Sequence, residues 1–150
     1  MATMTTEPEL DELLMRATRG LRRRWAASLE PLDLTPHHVR ALRVIAGLER
    51  PRLGVVAERL RIAPRSATEV VDALEERGLV ERVPDDADRR ATCVVMTAEG
   101  TAMLTRADAL RAGAGAEQFA RLSPEERAQL AALLAKLDAP EGPPVDRDRP

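Results

Sequence analysis

The sequence predicts a mainly α-helical α+β fold in which one short β-hairpin interrupts six helices, and three observations lead there. Aromatic residues are only 1% of the 150, Trp25 and Phe119 alone, so the core falls to Leu, Val and Ala, which suit packed helices better than a sheet sandwich. Apolar residues recur at the helical spacing along most of the chain. Only between Leu79 and Met96 does the period change to two.

Residues 1–8 carry no pattern and are expected to fray. From Leu10 the series Leu13, Leu14, Ala17, Leu21, Trp25, Ser28 and Leu29 follows one helical face, with Asp11, Arg16, Arg19, Arg22 and Arg23 on the other, and Glu30-Pro31 ends the helix. Thr35 is placed to cap a second helix, with Pro36 at its first position, where a missing N–H costs nothing. Val39, Leu42, Val44, Ile45 and Leu48 form its inner side, and Gly47 and Pro51 bracket its end. A short helix over Leu53 to Leu60 follows, then the turn Arg61-Ile62-Ala63, then a helix opened by Pro64 with Ala67, Val70, Val71 and Leu74 facing inward. Gly78 is its expected left-handed C-terminal stop. Leu79 to Val83 and Ala91 to Met96 form the hairpin around a polar tip. Thr97 caps a helix expected to run to about Leu110, where Gly113 and Gly115 weaken it. Ser123-Pro124-Glu125-Glu126 is a capping box opening the last helix, striped by Leu130, Leu133, Leu134 and Leu137. A Pro-rich, charged tail from Asp138 is expected to be disordered. Two helices on a three-residue turn followed by a hairpin make a winged helix-turn-helix. The terminal helices carry more leucine than one small domain covers, which calls for a partner subunit.

Composition narrows the function. The chain is long enough for one domain and for a core that needs no metal or disulfide. Cys93 is the only cysteine, which excludes an internal disulfide framework and an all-cysteine zinc site. With no long apolar run and no basic-then-apolar start, neither a membrane span nor a secretory signal is expected, and the cytoplasm is the default. Lys136 is the one basic residue of 23 that is not arginine. The bland cause of that bias is a GC-rich coding sequence; the functional one is forked contact with phosphate and guanine, which matters only where Arg is placed to make it. Net charge is −2, so any nucleic-acid surface comes from geometry rather than bulk charge. There is no phosphate-cradling loop, HExxH motif or nucleophile elbow, and no enzymatic activity is expected.

The run from Leu34-Thr35-Pro36 to Leu42, then Leu60 to Gly78 with Leu79-Val80-Glu81-Arg82, resembles the MarR family of bacterial transcriptional regulators. Asp88-Arg89-Arg90, followed by the strand Ala91 to Met96 and by Thr97 and Gly100, matches that family's wing signature. The resemblance covers about residues 9–137: a DNA-binding lobe over about 36–97 and dimerisation helices over about 9–30 and 98–137. It implies a ligand-responsive homodimer, acting as a repressor on a pseudo-palindromic operator, with no cofactor or metal. Its second helix would enter the major groove of double-stranded DNA and its wing the minor groove. A small phenolic or anionic effector would bind between the helices and the lobe.

On that reading Arg65 is the candidate for guanine or phosphate, Ser66 and Thr68 for phosphate or a base edge, and Glu69 for a cytosine amino group. Arg90 would enter a narrow A·T minor groove, oriented by Asp88, with Arg89 on phosphate. Two positions depart from the resemblance. Ala63 stands where Ser or Thr usually caps, a loss of about 1 kcal/mol. Glu69 stands where many members carry a base, and a carboxylate there repels phosphate and is useful only toward a donor. Trp25 is either a wall of the effector pocket or a core filler. His37 and His38 are either ordinary first-turn residues or groups that meet an anion, sense pH or bind a metal. Cys93, in an apolar strand, is expected to be structural. The acidic set Glu69, Asp72, Glu75 and Glu76 keeps a protein-binding adaptor in view as an alternative.

Overall fold

The computed structural model describes residues 9–88 and 90–138, so the expected frayed start, Arg89 and the tail beyond Asp138 lie outside the described residues. Helix α1 (Leu10–Leu29) runs into a 3₁₀ turn (Glu30–Leu32) and is followed by α2 (Pro36–Ala46), α3 (Leu53–Leu60) and α4 (Pro64–Glu76). Strands β1 (Val80–Pro84) and β2 (Thr92–Met96) pair antiparallel, Val80 opposite Met96 and Val83 opposite Cys93. Helices α5 (Ala98–Phe119) and α6 (Pro124–Leu137) complete the order. None of the described helices is long and apolar enough to cross a membrane.

Local chemistry sets most of these boundaries. Thr35 Oγ1 accepts from the His38 N–H at 3.2 Å, while His38 Nδ1 accepts from the Thr35 N–H, a reciprocal capping box. The α3–α4 turn reverses at Arg61, which takes a left-handed φ of 54°, and the Ile62 N–H donates to the Ala57 carbonyl. Gly78 stops α4 at φ 67°. Ser123 and Glu126 form the second capping box, at the head of α6.

One expected boundary is wrong. Helix α5 does not end near Leu110 but continues through Gly113 and Gly115 to Phe119. Each glycine costs roughly 1 kcal/mol against alanine, and the Ala, Arg and Glu residues around them are among the best helix formers. That cost bends a propensity sum without breaking the helix.

The described residues fall into two compact units that part after Gly115. In the first, an all-aliphatic core gathers Leu29 of α1, Val39, Leu42 and Ile45 of α2, Val56 and Leu60 of α3, and Val71 and Leu74 of α4. Leu79, Val80 and Val94 of the hairpin and Ala107 of α5 join it. The loop before α3 adds a third rung beside β2, for the Val94 N–H donates to the Pro51 carbonyl at 2.9 Å. Leu10, Leu13, Leu14 and Met15 of α1 stay exposed. In the second unit, α6 likewise exposes Leu133, Leu134 and Leu137.

Helix α5 meets the end of α4 at a single tight point. Thr97 Oγ1 donates to the Gly78 carbonyl at 2.7 Å and accepts from the Gly100 N–H at 2.9 Å. A Cβ on buried Gly100 would lie 1.9 Å from the Leu79 carbonyl oxygen. Both partners are backbone, so neither can yield cheaply. Gly100→Ala is therefore expected to destabilise the fold by about 3 kcal/mol, at the upper end of overpacking costs, in urea unfolding followed by Trp25 fluorescence. Wild-type stability in that variant would contradict the close approach.

Candidate nucleic-acid interface and a basic cleft

Burial of Ala67, Val71 and Leu74 decides which side of α4 faces outward. Arg65, Ser66 and Glu69 are exposed there, and Arg65 Nε donates to Glu69 Oε1 at 3.4 Å, one turn on. Such an exposed pair contributes at most about 0.5 kcal/mol, so either partner exchanges readily for a base edge. Thr68 is half-buried, and its hydroxyl donates to the Pro64 carbonyl at 3.0 Å, leaving only lone pairs for another partner. Ala63 makes no capping hydrogen bond, in line with its side chain.

The wing is built by side chains that the sequence does not single out. Arg50 Nη2 donates to the Pro84 carbonyl at 3.0 Å and Arg50 Nη1 lies 3.2 Å from Asp86. Arg52 Nε donates to Asp85 at 2.5 Å. At the tip Asp85 Oδ1 accepts from the Ala87 N–H, and the Asp85 N–H donates to the Ala91 carbonyl. Asp88 engages Arg90 through the backbone, its carboxylate accepting the Arg90 N–H at 3.0 Å, and the Arg90 side chain is exposed. Asp85 and Asp86 are thus each matched by an arginine from the α2–α3 loop.

Two carboxylates of α4 are matched in the same way. Arg82 of β1 reaches Asp72 at 2.6 Å and pairs with Glu75, whose other oxygen accepts the Arg82 N–H at 2.9 Å. The acidic set that favoured an adaptor therefore keeps only Glu69 and Glu76 without this clamp. At the end of α4, Arg77 donates to the Leu32 and Asp33 carbonyls, fastening the linker before α2.

A second feature lies between α1, α2 and α5. An open cleft of about 710 Å³ is lined by Trp25, Pro36 and Val44 and by Arg22, His37, Arg40, Arg43 and Arg111. The Arg111 guanidinium sits over the Trp25 ring, 6.0 Å from its centre, and Arg43 pairs with Asp108 of α5. Trp25 is half-buried, so it both walls this cleft and packs on the core. Two expectations are corrected here. Arg22 does not belong to a face opposite Trp25, because residues one turn apart share a side of the helix. His38 does not line the cleft as His37 does; its ring is taken by the Thr35 cap. Burial, and then Arg77, hold His38 below its ordinary 6.5, which keeps the ring neutral and its Nδ1 an acceptor. Burial and Asp85 push the Cys93 thiol up, away from thiolate reactivity. Among the described residues no three His, Cys, Asp or Glu side chains converge as a metal site would require.

His37 and Arg40 lie one turn apart on α2 and so share a face, a spacing open to sequence reading, whereas Val44, expected on the inner side, packs on the core and also reaches the cleft. Asp108 and Arg111 carried no such signal, since only the packing of α5 brings them near.

A helix-turn-helix whose second helix is exposed at its start, followed by a pinned hairpin and flanked by long helices, defines the winged helix-turn-helix class. Residues 32–91 match the family model for the MarR family. The HTH-type transcriptional repressor Rv2887 of Mycobacterium tuberculosis is 28% identical over 134 residues, covering 89% of this chain and 96% of that protein. Its structure in complex with DNA superposes with a TM-score of 0.76, over 89% of this chain and 100% of that one. It has also been solved in complex with salicylic acid, with a TM-score of 0.70 and 28% identity over 89% of this chain and 99% of that one. Apo MarR from E. coli gives a TM-score of 0.79 at 26% identity, over 87% of this chain and 96% of that one. Over most of its length the chain is thus similar to MarR-family regulators.

The pin under the wing has a pH signature. The Arg52 side chain, then the Ala87 N–H, hold the Asp85 carboxyl down at about 2, against an ordinary 3.8. A carboxyl lower in the fold than in the unfolded chain stabilises the fold fully above 3.8, and that support is lost as pH falls toward about 2. NMR titration of the Asp85 carboxyl should find its midpoint near 2, and Arg52→Gln should move it back toward 3.8. An unshifted midpoint in the wild type would contradict the pin.

Proposed function

We propose that this chain is a sequence-specific, double-stranded DNA-binding transcriptional regulator, acting in the cytoplasm as a homodimeric repressor that a small phenolic or anionic effector releases from DNA. The observation that carries the reading is the division of α4, which buries Ala67, Val71 and Leu74 and leaves Arg65, Ser66 and Glu69 outward at the end that reaches bases in helix-turn-helix docking. The mycobacterial relative solved with DNA and with salicylic acid supports both halves of the proposal.

In this assignment about 36–97 forms the DNA-binding lobe, and about 9–30 and 98–137 supply the dimerisation helices. The exposed leucines of α1 and, separately, of α6 are what a second copy would cover. Arg65 would donate to guanine and Glu69 accept from a cytosine amino group, with Ser66 and Thr68 on phosphate or base edges. Asp88 shapes the wing so that Arg90 enters the minor groove, with Arg89 on phosphate. The cleft at Trp25 and His37 takes the effector; His38 supports it only by capping α2. Its role is regulation, with no catalytic step assigned.

Arg90→Ala should weaken binding to an operator duplex by about 1–3 kcal/mol and reduce the slope of log affinity against log salt by about one, measured by fluorescence anisotropy. Unchanged affinity would remove Arg90 from the interface. Footprinting of fragments selected from random duplexes should reveal two inverted half-sites about 10 bp apart, centre to centre. A single, asymmetric site would contradict the dimeric reader.

A further inference from the structure

The charge of the cleft is more than a single anionic group needs. Four guanidiniums line it, those of Arg22, Arg40, Arg43 and Arg111, together with His37 at the first turn of α2, where the helix dipole also favours an anion. Among the described residues no carboxylate lines it. Among the described residues the one ion pair these arginines make is Arg43 with Asp108, which ties α2 to α5 across 65 positions of sequence. Both partners are about half-exposed, at 42% and 49%, so the pair is accessible to a competing anion and weakly held. Trp25 supplies the flat apolar wall, with Arg111 over its ring.

We propose that the cleft is built for a planar aromatic ring bearing two negative charges, and that the second charge takes Arg43 from Asp108. This rests on the reading of the cleft as the effector site. A monoanion is satisfied by Arg40, Arg111 and the start of α2, and leaves the Arg43–Asp108 pair intact. The second charge of a dianion competes with Asp108 for the Arg43 guanidinium, so its binding loosens the one ionic tie found among the described residues between these arginines of α2 and α5. The ring is required because stacking on Trp25 is the cleft's apolar contribution, and an aliphatic dianion lacks it.

Trp25 is the only tryptophan and the chain has no tyrosine, so its emission reports this cleft directly. Benzene-1,2-dicarboxylate, benzoate, phenol and succinate are titrated into the full chain, with affinities checked by calorimetry. The dicarboxylate should bind about twofold tighter than benzoate, less than one whole exposed charge contact because the Arg43–Asp108 pair is given up, with phenol and succinate weaker than both. Arg43→Gln should erase the difference between dicarboxylate and benzoate. Asp108→Asn, which removes the competitor and keeps the shape, should widen it about threefold while leaving benzoate unchanged. Equal binding of dicarboxylate and benzoate to the wild type, or a preference indifferent to both substitutions, overturns the dianion and its exchange while leaving the cleft an effector site. If no aromatic anion binds although the protein still holds DNA, the effector-site reading fails with it.

Discussion

Everything the lobe presents to a partner follows from how α4 is held on its inner side. Ala67, Val71 and Leu74 are fully buried against an aliphatic core drawn from α2, α3 and the hairpin. A helix turns 100° per residue, so fixing that stripe fixes the direction of every other side chain on it. Arg65 and Glu69 face outward because Ala67 and Val71 cannot. The same core includes Leu79, Val80 and Val94, which sets the hairpin against the end of α4. Where Gly100 lets α5 approach the Leu79 backbone, the helix leading out of the lobe is set as well.

Around that core the arginines divide into two kinds. Arg50, Arg52, Arg77 and Arg82 are spent on the protein itself, each on backbone carbonyls or on Asp and Glu side chains. Their planar fork suits two acceptors at once, which a lysine would serve less well. Arg65 and Arg90 remain exposed. The net charge of −2 is therefore compatible with a DNA-reading surface. Most of the acidic groups near the wing and along α4 already have arginine partners, and what is left outward is sparse and directional. Specificity from shape and spacing fits such a surface better than adhesion by bulk charge.

The cleft is the second place where the lobe and its flanking helices meet. Helix α2 contributes Val39, Leu42 and Ile45 to the core on one side and Arg40 and Arg43 to the cleft on another. A change at Arg43 is thus felt on an element that packs directly beneath the helix-turn-helix. On the proposed reading, coupling needs only that an effector bind better to an arrangement in which Arg43 has left Asp108 than to the one seen.

Much of this was legible in the residues. Capping boxes, helix-opening prolines, the Gly78 stop and the switch from helical to strand period are local, and local chemistry placed the helices, the turn at Arg61 and the hairpin. The outward face of α4 followed from the spacing of its apolar residues. Tertiary packing decided the rest, because it depends on which distant groups meet. It brought Arg111 of α5 over Trp25 of α1, whereas the run of α5 past two glycines, Arg22 one turn from Trp25 and the His38 cap are local helix geometry. It also joined Arg43 to Asp108, Arg52 to Asp85 and Arg82 to α4, pairings without periodicity in the chain. Periodicity determines which side of an element is apolar, whereas only the folded arrangement decides which charges on the other side face each other.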